Sequence, residues 1–266
     1  MTVDMEERFP KEIPVARFSR KKRLAHIVVK AQDVTGAMAE ISMILASEGV
    51  DVRQSAAFAV ERGGYYVYNA FIWLTKKGYK LDNLEAKLRA SKYVLQVQAE
   101  EGVEGSVIDT VTFPLQFEGE RVVLLETIAV ANMFDALEGV FGSGGSVIMK
   151  EQGFSYGKAM AAKMAQTLTR PYMVRNFSYG IELLRATGWG IPTVLKAKKD
   201  LTLVKIRVDE SFECQARKSS KPSGYFITGF VAGVVSFLSG KELHATETAC
   251  VAAGQDHCEI TISEKA

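Results

Sequence analysis

The chain has 266 residues, of which 47% are hydrophobic and 24% charged, and a formal net charge of +2. That length allows two ordinary domains, each with its own core, and so small a charge selects neither nucleic acid nor a membrane surface as partner. No apolar run approaches the roughly 18 residues of a bilayer span. The charged start MTVDMEERFPKEIP has no apolar signal core, so the expected location is the cytoplasm. Three cysteines are too few for a disulfide framework, and an odd number points to thiols or metal ligands.

Residues 1–22 read as an N-terminal arm. Its basic run, Arg17, Arg20, Lys21, Lys22 and on to Arg23, lacks interleaved aromatics and reads as a solvated lead-in rather than a nucleic-acid patch. Residues 23–100 form a first unit. A buried strand at Leu24–Val29 precedes the turn Asp33-Val34-Thr35-Gly36, and Met38, Ile41 and Leu45 then recur at helical spacing. Strands at Val52–Val60 and Tyr65–Leu74 flank a Gly63-Gly64 turn. Leu81, Leu84 and Leu88 mark a second helix, and a fourth strand follows at Val94–Val97. The order βαββαβ predicts a ferredoxin-like sandwich.

The segment DVTGAMAEISMILASEGVDVRQ, Asp33 to Gln54, resembles the opening of an ACT domain: an Asp-x-x-Gly turn, a helix, then Gly and Asp entering the second strand. Thr35 stands where that family commonly has Pro. The resemblance implies a dimer whose interface binds an amino acid through backbone groups of the turn. Asp33, Thr35, Gly36, Ala37 and Met38 are then the candidate ligand turn. Free N–H groups at a helix start do attract a carboxylate. An ACT fold that only dimerises is the other reading of the same residues.

Residues 101–112, EGVEGSVIDTVT, have the composition of a linker, and residues 113–264 form the second unit. Val130, Phe134, Leu137 and Phe141 predict a helix that stops at Gly142-Ser143-Gly144-Gly145. Val147-Ile148-Met149 reads as a short strand, Gly153 to Gly157 as the opening of a helix marked by Met160, Met164 and Leu168, and Val174 to Leu184 as another helix. A half-exposed strand follows at Thr202–Val208. Tyr225–Leu238 is a glycine-punctuated helix in which Gly229 and Gly233, four apart, permit close backbone packing. An alternating segment then ends at Cys250, Gly254-Gln255-Asp256 turns the chain, and a second strand starts at Cys258. That hairpin sets two thiols about opposite each other, with Glu247 and His257 nearby, a soft donor set suited to zinc. On a regular strand Glu247 and Cys250 point to opposite faces, so a bulge is needed to bring the carboxylate round.

The stretch GFVAGVVSFLSGKELHATETACVAAGQDHCEI, Gly229 to Ile260, resembles the vinyl-4-reductase domain, with its Gly-x-x-x-Gly helix, Glu-x-x-Cys, Gly-Asp-type turn and Cys. That family shares its α/β fold with small TRAPP transport-complex subunits and includes sensors of aromatic effectors. The resemblance implies zinc ligands at Glu247, Cys250 and Cys258, with one more Cys before the glycine helix. Ser223-Gly224-Tyr225 stand there instead, and Cys214 substitutes if the loop KSSKPSG folds back. Two outcomes stay open: a structural zinc held by Cys214, Cys250, Cys258 and either Glu247 or a His, or a hairpin with packed free thiols or a disulfide. The resemblance also implies a pocket for a small aromatic molecule at Phe134, Phe177, Trp189, Tyr225 and Phe230, residues that composition alone assigns to the core. Trp189 and Tyr225 carry polar hydrogens able to meet a ligand substituent.

No nucleophile elbow, phosphate loop or HExxH motif occurs, so no catalytic residue is assigned. The expected architecture is α+β, an N-terminal ACT domain and a C-terminal vinyl-4-reductase, TRAPP-subunit-like domain. The expected function is a cytoplasmic, homodimeric, ligand-sensing regulator that takes an amino acid, an aromatic compound or both and signals to a protein partner. The alternatives are a vinyl reductase acting on a tetrapyrrole-like substrate and a TRAPP-like scaffold.

Overall fold

A computed structural model describes residues 9–60, 63–167 and 173–264. The first eight residues of the expected arm and Leu168 lie outside them. By its contacts the chain divides into two units, 1–123 and 124–266.

The first unit is built on four antiparallel strands, β2 (Leu24–Gln32), β3 (Asp51–Val60), β4 (Tyr65–Trp73) and β5 (Val94–Glu101), in the order β3-β4-β2-β5. A three-residue strand, β1 (Ala16–Phe18), precedes them, and the helices α1 (Ala37–Ser47) and α2 (Leu81–Arg89) lie between them in the chain. This is the ferredoxin-like βαββαβ order. Alternation along β2 explains which face the helices cover. Ala25, Ile27, Val29 and Ala31 form one core with Ile41, Leu45, Leu84 and Leu88, while Leu24 packs with Phe71 and Val107 in a separate cluster.

The residues after β5 cover part of that second face. Strand β6 (Ser106–Ile108) pairs with β1 in a two-stranded ribbon, and a hairpin of β7 (Gln116–Phe117) and β8 (Glu120–Arg121) follows. Residues 101–112 therefore lie within the first contact unit. They are held there by a buried polar knot. His26, 1% exposed and stacked on Phe71, has its Nε2 2.9 Å from the Asn69 amide oxygen. The Asn69 amide donates to Asp109 at 2.5 Å and to Thr112 at 3.1 Å. Burial alone pushes the Asp109 carboxyl up. Hydrogen bonds from the Thr112 hydroxyl and from the Thr112 and Val111 N–H groups, with the charge of His26, outweigh it and hold the pKa below the usual carboxylate range. A depressed carboxylate stabilises the fold above its unfolded-state pKa and loses that contribution as pH falls through the folded-state value. Asp109→Ala is expected to cost about 1–3 kcal/mol at neutral pH, because it orphans buried donors, and chemical denaturation should show the gap between wild type and variant shrinking as the pH drops below about 4.

The second unit begins with helices α3 (Thr127–Phe141), α4 (Ser143–Thr167), α5 (Met173–Gly180) and α6 (Leu183–Ala186). Strands β9 (Ile191–Ala197) and β10 (Leu203–Asp209), helix α7 (Tyr225–Ser239) and strands β11 (His244–Ala249) and β12 (Cys258–Ser263) complete it. The sheet is antiparallel in the order β11-β12-β10-β9. Ile206, Val208, Ile260 and Ile262 meet Ile227, Val231 and Val235 of α7 in a dry core.

The strand expected at Val147–Met149 does not form; those residues belong to α4, a continuous helix of 25 residues. Its glycines mark helix contacts, not breaks. A Cβ at Gly153 would lie 2.0 Å from the Phe226 carbonyl oxygen, and one at Gly157 2.1 Å from that of Phe230. From the other side, a Cβ at Gly229 would meet the Lys150 carbonyl at 2.0 Å and one at Gly233 that of Phe154 at 2.1 Å. Two Gly-x-x-x-Gly pairs thus interlock, and α4 and α7 touch backbone to backbone, a geometry open only to residues without a side chain. Substitution forces the helices apart, so Gly157→Ala should cost about 3 kcal/mol, read as a lowered urea midpoint with an unchanged slope.

Candidate metal centre

The site is assembled from three parts of the second unit. The hairpin β11–β12 supplies Glu247, Cys250 and Cys258. The register of this pair shifts between Glu247 and Ala249, Glu247 facing Ile260 and Ala249 facing Glu259. Thr248 is the extra residue of a bulge, which turns Glu247 to the side on which Cys258 and Ile260 are buried. A 3₁₀ turn at Val251–Ala253 and Gly254, with φ of 92°, then reverse the chain.

Cys214 comes from the turn after β10, where Cys214 and Gln215 donate their N–H groups to the Ser211 carbonyl. The loop 218–224 folds back toward the hairpin, with Ser219 N–H bonded to the Ala252 carbonyl at 2.8 Å and Arg217 donating to the Ser223 carbonyl at 3.2 Å. Gly224 then approaches the site so closely that a Cβ would lie 2.7 Å from Glu247 Oε1 and 3.1 Å from Cys214 Sγ. Its N–H donates to Glu247 Oε2 at 2.7 Å.

The donor atoms of Cys214, Glu247, Cys250 and Cys258 all lie within 4.8 Å of one another, close enough to hold a metal ion. The three cysteines are free thiols and fully buried. Cys214 and Cys250 Sγ are 3.5 Å apart, close to the roughly 3.8 Å between two sulfurs on a tetrahedral ion with metal–sulfur bonds of about 2.3 Å. The histidines stand outside: His244 is exposed, and His257 pairs with Asp256 at 2.6 Å. Glu247 is therefore the oxygen donor of the cluster.

Crowding sets the electrostatics. Hydrogen bonds from the Cys214 and Cys258 thiols lower the Cys250 pKa. The contact with Cys250 raises Cys214. In Cys258 a hydrogen bond to Cys214 works downward, but the Cys250 contact and burial outweigh it. Burial, then the charge of Cys250, pushes Glu247 up to about 8. Without a cation the cluster thus favours one thiolate and keeps the other groups protonated. A divalent cation inverts this order, since its ligands must be deprotonated. Binding therefore releases protons, and affinity rises with pH.

The metal cluster and an aromatic nest share one tripeptide. Phe212 lies in a set of rings with Phe134, Tyr156, Trp189, Phe226 and Phe230, their centroids 5.1 to 6.5 Å apart. Glu213, fully buried, accepts the N–H groups of Phe226 and Ile227 at 3.0 and 2.9 Å and so caps α7 from a distance. Its burial pushes the carboxyl up to about 7 against those hydrogen bonds. Cys214 reaches the thiols. Of the expected pocket residues, Phe134, Trp189 and Phe230 meet in the nest. Tyr225 packs at its edge and also lines a cleft of about 220 Å³ beside Glu247 and Thr228. Phe177 lies in the neighbouring core of α7 and the sheet. Tyr156 and Phe212 were not among the expected residues, although Tyr156 sits between two contact glycines and Phe212 two residues before a thiol.

The expected ligand turn of the first unit lies elsewhere. Asp33, Thr35 and Gly36 are exposed, Met38 is half-buried and Ala37 is buried. Gly36, with φ of 94°, starts α1, which has no side-chain cap.

Residues 204–264, from β10 to the end of β12, match the vinyl-4-reductase domain family. No curated protein matches the chain. Among solved structures, the phenol-responsive sensory domain of the transcription activator PoxR with phenol is 18% identical. The similarity covers 87% of this chain and 91% of that one, with a TM-score of 0.51; at this identity the likeness is one of fold. A vinyl-4-reductase family protein from Methanocaldococcus jannaschii is 17% identical, with 52% of this chain and 92% of that one covered and a TM-score of 0.34. The ACT domain of a Chlorobium tepidum GTP pyrophosphokinase is 24% identical, covering 30% of this chain and all of that one, with a TM-score of 0.26. Among the described residues no helix is long and apolar enough to cross a membrane.

Zinc titrated calorimetrically into metal-free protein, in buffers of differing ionisation enthalpy, should show proton release at about pH 7. Cys258→Ser should abolish stoichiometric binding, whereas His257→Ala should leave it intact.

Proposed function

We propose that the chain is a ligand-sensing regulatory protein whose second unit takes a small hydrophobic or aromatic molecule and carries a structural zinc. The observation that carries this reading is the tripeptide Phe212-Glu213-Cys214. In three consecutive residues it joins an aromatic nest, the capped start of α7 and a closed cluster of four donors. Four protein ligands leave no open position for a reacting water, so zinc at Cys214, Glu247, Cys250 and Cys258 would serve as a structural anchor. The similarity over most of the chain to a phenol-responsive sensory domain supports an effector of that chemical kind. Phe134, Phe177, Trp189, Tyr225 and Phe230 would surround it, with Trp189 and Tyr225 meeting its polar substituent.

In this reading the first unit contributes an ACT-type module. Its turn Asp33-Val34-Thr35-Gly36, with Ala37 and Met38 opening α1, takes an amino acid carboxylate on free N–H groups or serves dimerisation alone. The protein works as a cytoplasmic homodimer and reports occupancy to a partner protein.

The test is intrinsic fluorescence in a Trp73→Phe background, which leaves Trp189 as the sole indole. Phenol and small alkylphenols should change its emission saturably, with Phe230→Ala weakening the response about tenfold or more, the value of a lost aromatic contact. An emission that never saturates, or one indifferent to Phe230→Ala, would remove the aromatic site. Catalytic reduction of a vinyl substrate by the purified protein would replace the sensor with the reductase.

A further inference from the structure

The first unit carries a second concavity, away from the α1 turn and on the face of the sheet opposite the helices. It is a cleft of about 380 Å³ between the strands and the segment 111–116, within the size range of small-molecule sites. Val28 and Val67 belong to its apolar lining, and Phe113 stands on the covering segment. Phe113 is 78% exposed, so the cleft keeps an aromatic face in water that an apolar ligand body would cover at a gain.

The polar groups of the cleft are unequal. Lys30 is its one cation among the described residues, its ammonium 3.8 Å from the centroid of the Tyr65 ring. Gln96 and Gln98 add amides from β5, and no carboxylate lines the cleft among the described residues. The covering segment is also pinned: Thr112 both lines the cleft and accepts a hydrogen bond from buried Asn69, which holds Asp109 as well. The concavity therefore exists before any ligand arrives, which lowers the ordering cost of binding.

We propose that this cleft binds a small amphipathic anion, an apolar and preferably planar body carrying one carboxylate. The body lies between Val28, Val67 and Phe113, and the carboxylate meets the Lys30 ammonium and the amides of Gln96 and Gln98. A neutral molecule of the same shape leaves the ammonium without an anionic partner and binds less tightly. This site is independent of the aromatic nest in the second unit, and neither stands or falls with the other.

The experiment is fluorine NMR relaxation on the full-length protein with 4-fluorobenzoate, 4-fluorophenylacetate and neutral 4-fluorobenzyl alcohol. The two anions should broaden, and the alcohol should bind about tenfold more weakly. Lys30→Met should weaken the anions about tenfold, and Lys30→Arg should retain them, which separates loss of charge from loss of fold. Val67→Trp, which fills the cleft floor, should abolish the effect, while Phe230→Ala should not alter it. Absence of broadening with both anions at millimolar concentration would overturn the proposal. So would broadening that survives both Lys30→Met and Val67→Trp, since that places the binding elsewhere on the chain.

Discussion

Three thiols and a carboxylate confined within 4.8 Å of one another and withdrawn from water cannot all carry charge unless a cation joins them. Most of the second unit's irregular backbone is devoted to bringing them together: the bulge at Thr248, the turn at 212–216, the returning loop before α7 and the glycine at 224. Each feature interrupts regular structure at some cost, and the four converge on one spot. The polar network around the spot is similarly complete. Gly224 N–H answers Glu247, and Glu213 answers the first N–H groups of α7. Arg217 spans from the Ser223 carbonyl to Asp135 and Glu138 of α3.

The second constraint is the contact of α4 with α7. Interlocked glycines bring the two backbones together, and this closeness decides where the large side chains between them can go. Tyr156 projects from the same stretch of α4 that carries Gly153 and Gly157, and Phe226 and Phe230 from the matching stretch of α7. The rings gather at the end of the interface where Trp189 and Phe212 arrive from the strand side. A rigid backbone contact flanked by adaptable aromatic edges suits a site that changes packing on occupancy while its frame stays fixed.

The first unit solves a different problem. A four-stranded sheet with helices on one face leaves the other face to be covered, and here residues 101–116 cover part of it through the knot of His26, Asn69, Asp109 and Thr112. Compositional reading takes EGVEGSVIDTVT for a linker because its glycines and acids resemble one. Its fate is decided instead by Val107 and Asp109, whose partners Phe71, Asn69 and His26 lie about 40 to 80 residues earlier.

Periodicity in the sequence determined the βαββαβ order, the glycine helix, the hairpin and its turn at Gly254, because each depends on neighbours within a few residues. The donor types were legible as well: only Cys, His and carboxylates ligate soft metals, and the chain has three cysteines. The spacing even required a bulge at Glu247, which the register shift supplies. Tertiary structure alone decided the rest. It brought Cys214 to the hairpin, left both nearby histidines outside and made the glycines of α4 helix contacts rather than strand boundaries. It also drew Tyr156 and Phe212 into the nest. Each of these outcomes depends on backbone approach between segments tens of residues apart, a quantity set by packing and loop closure that no local pattern of residues encodes.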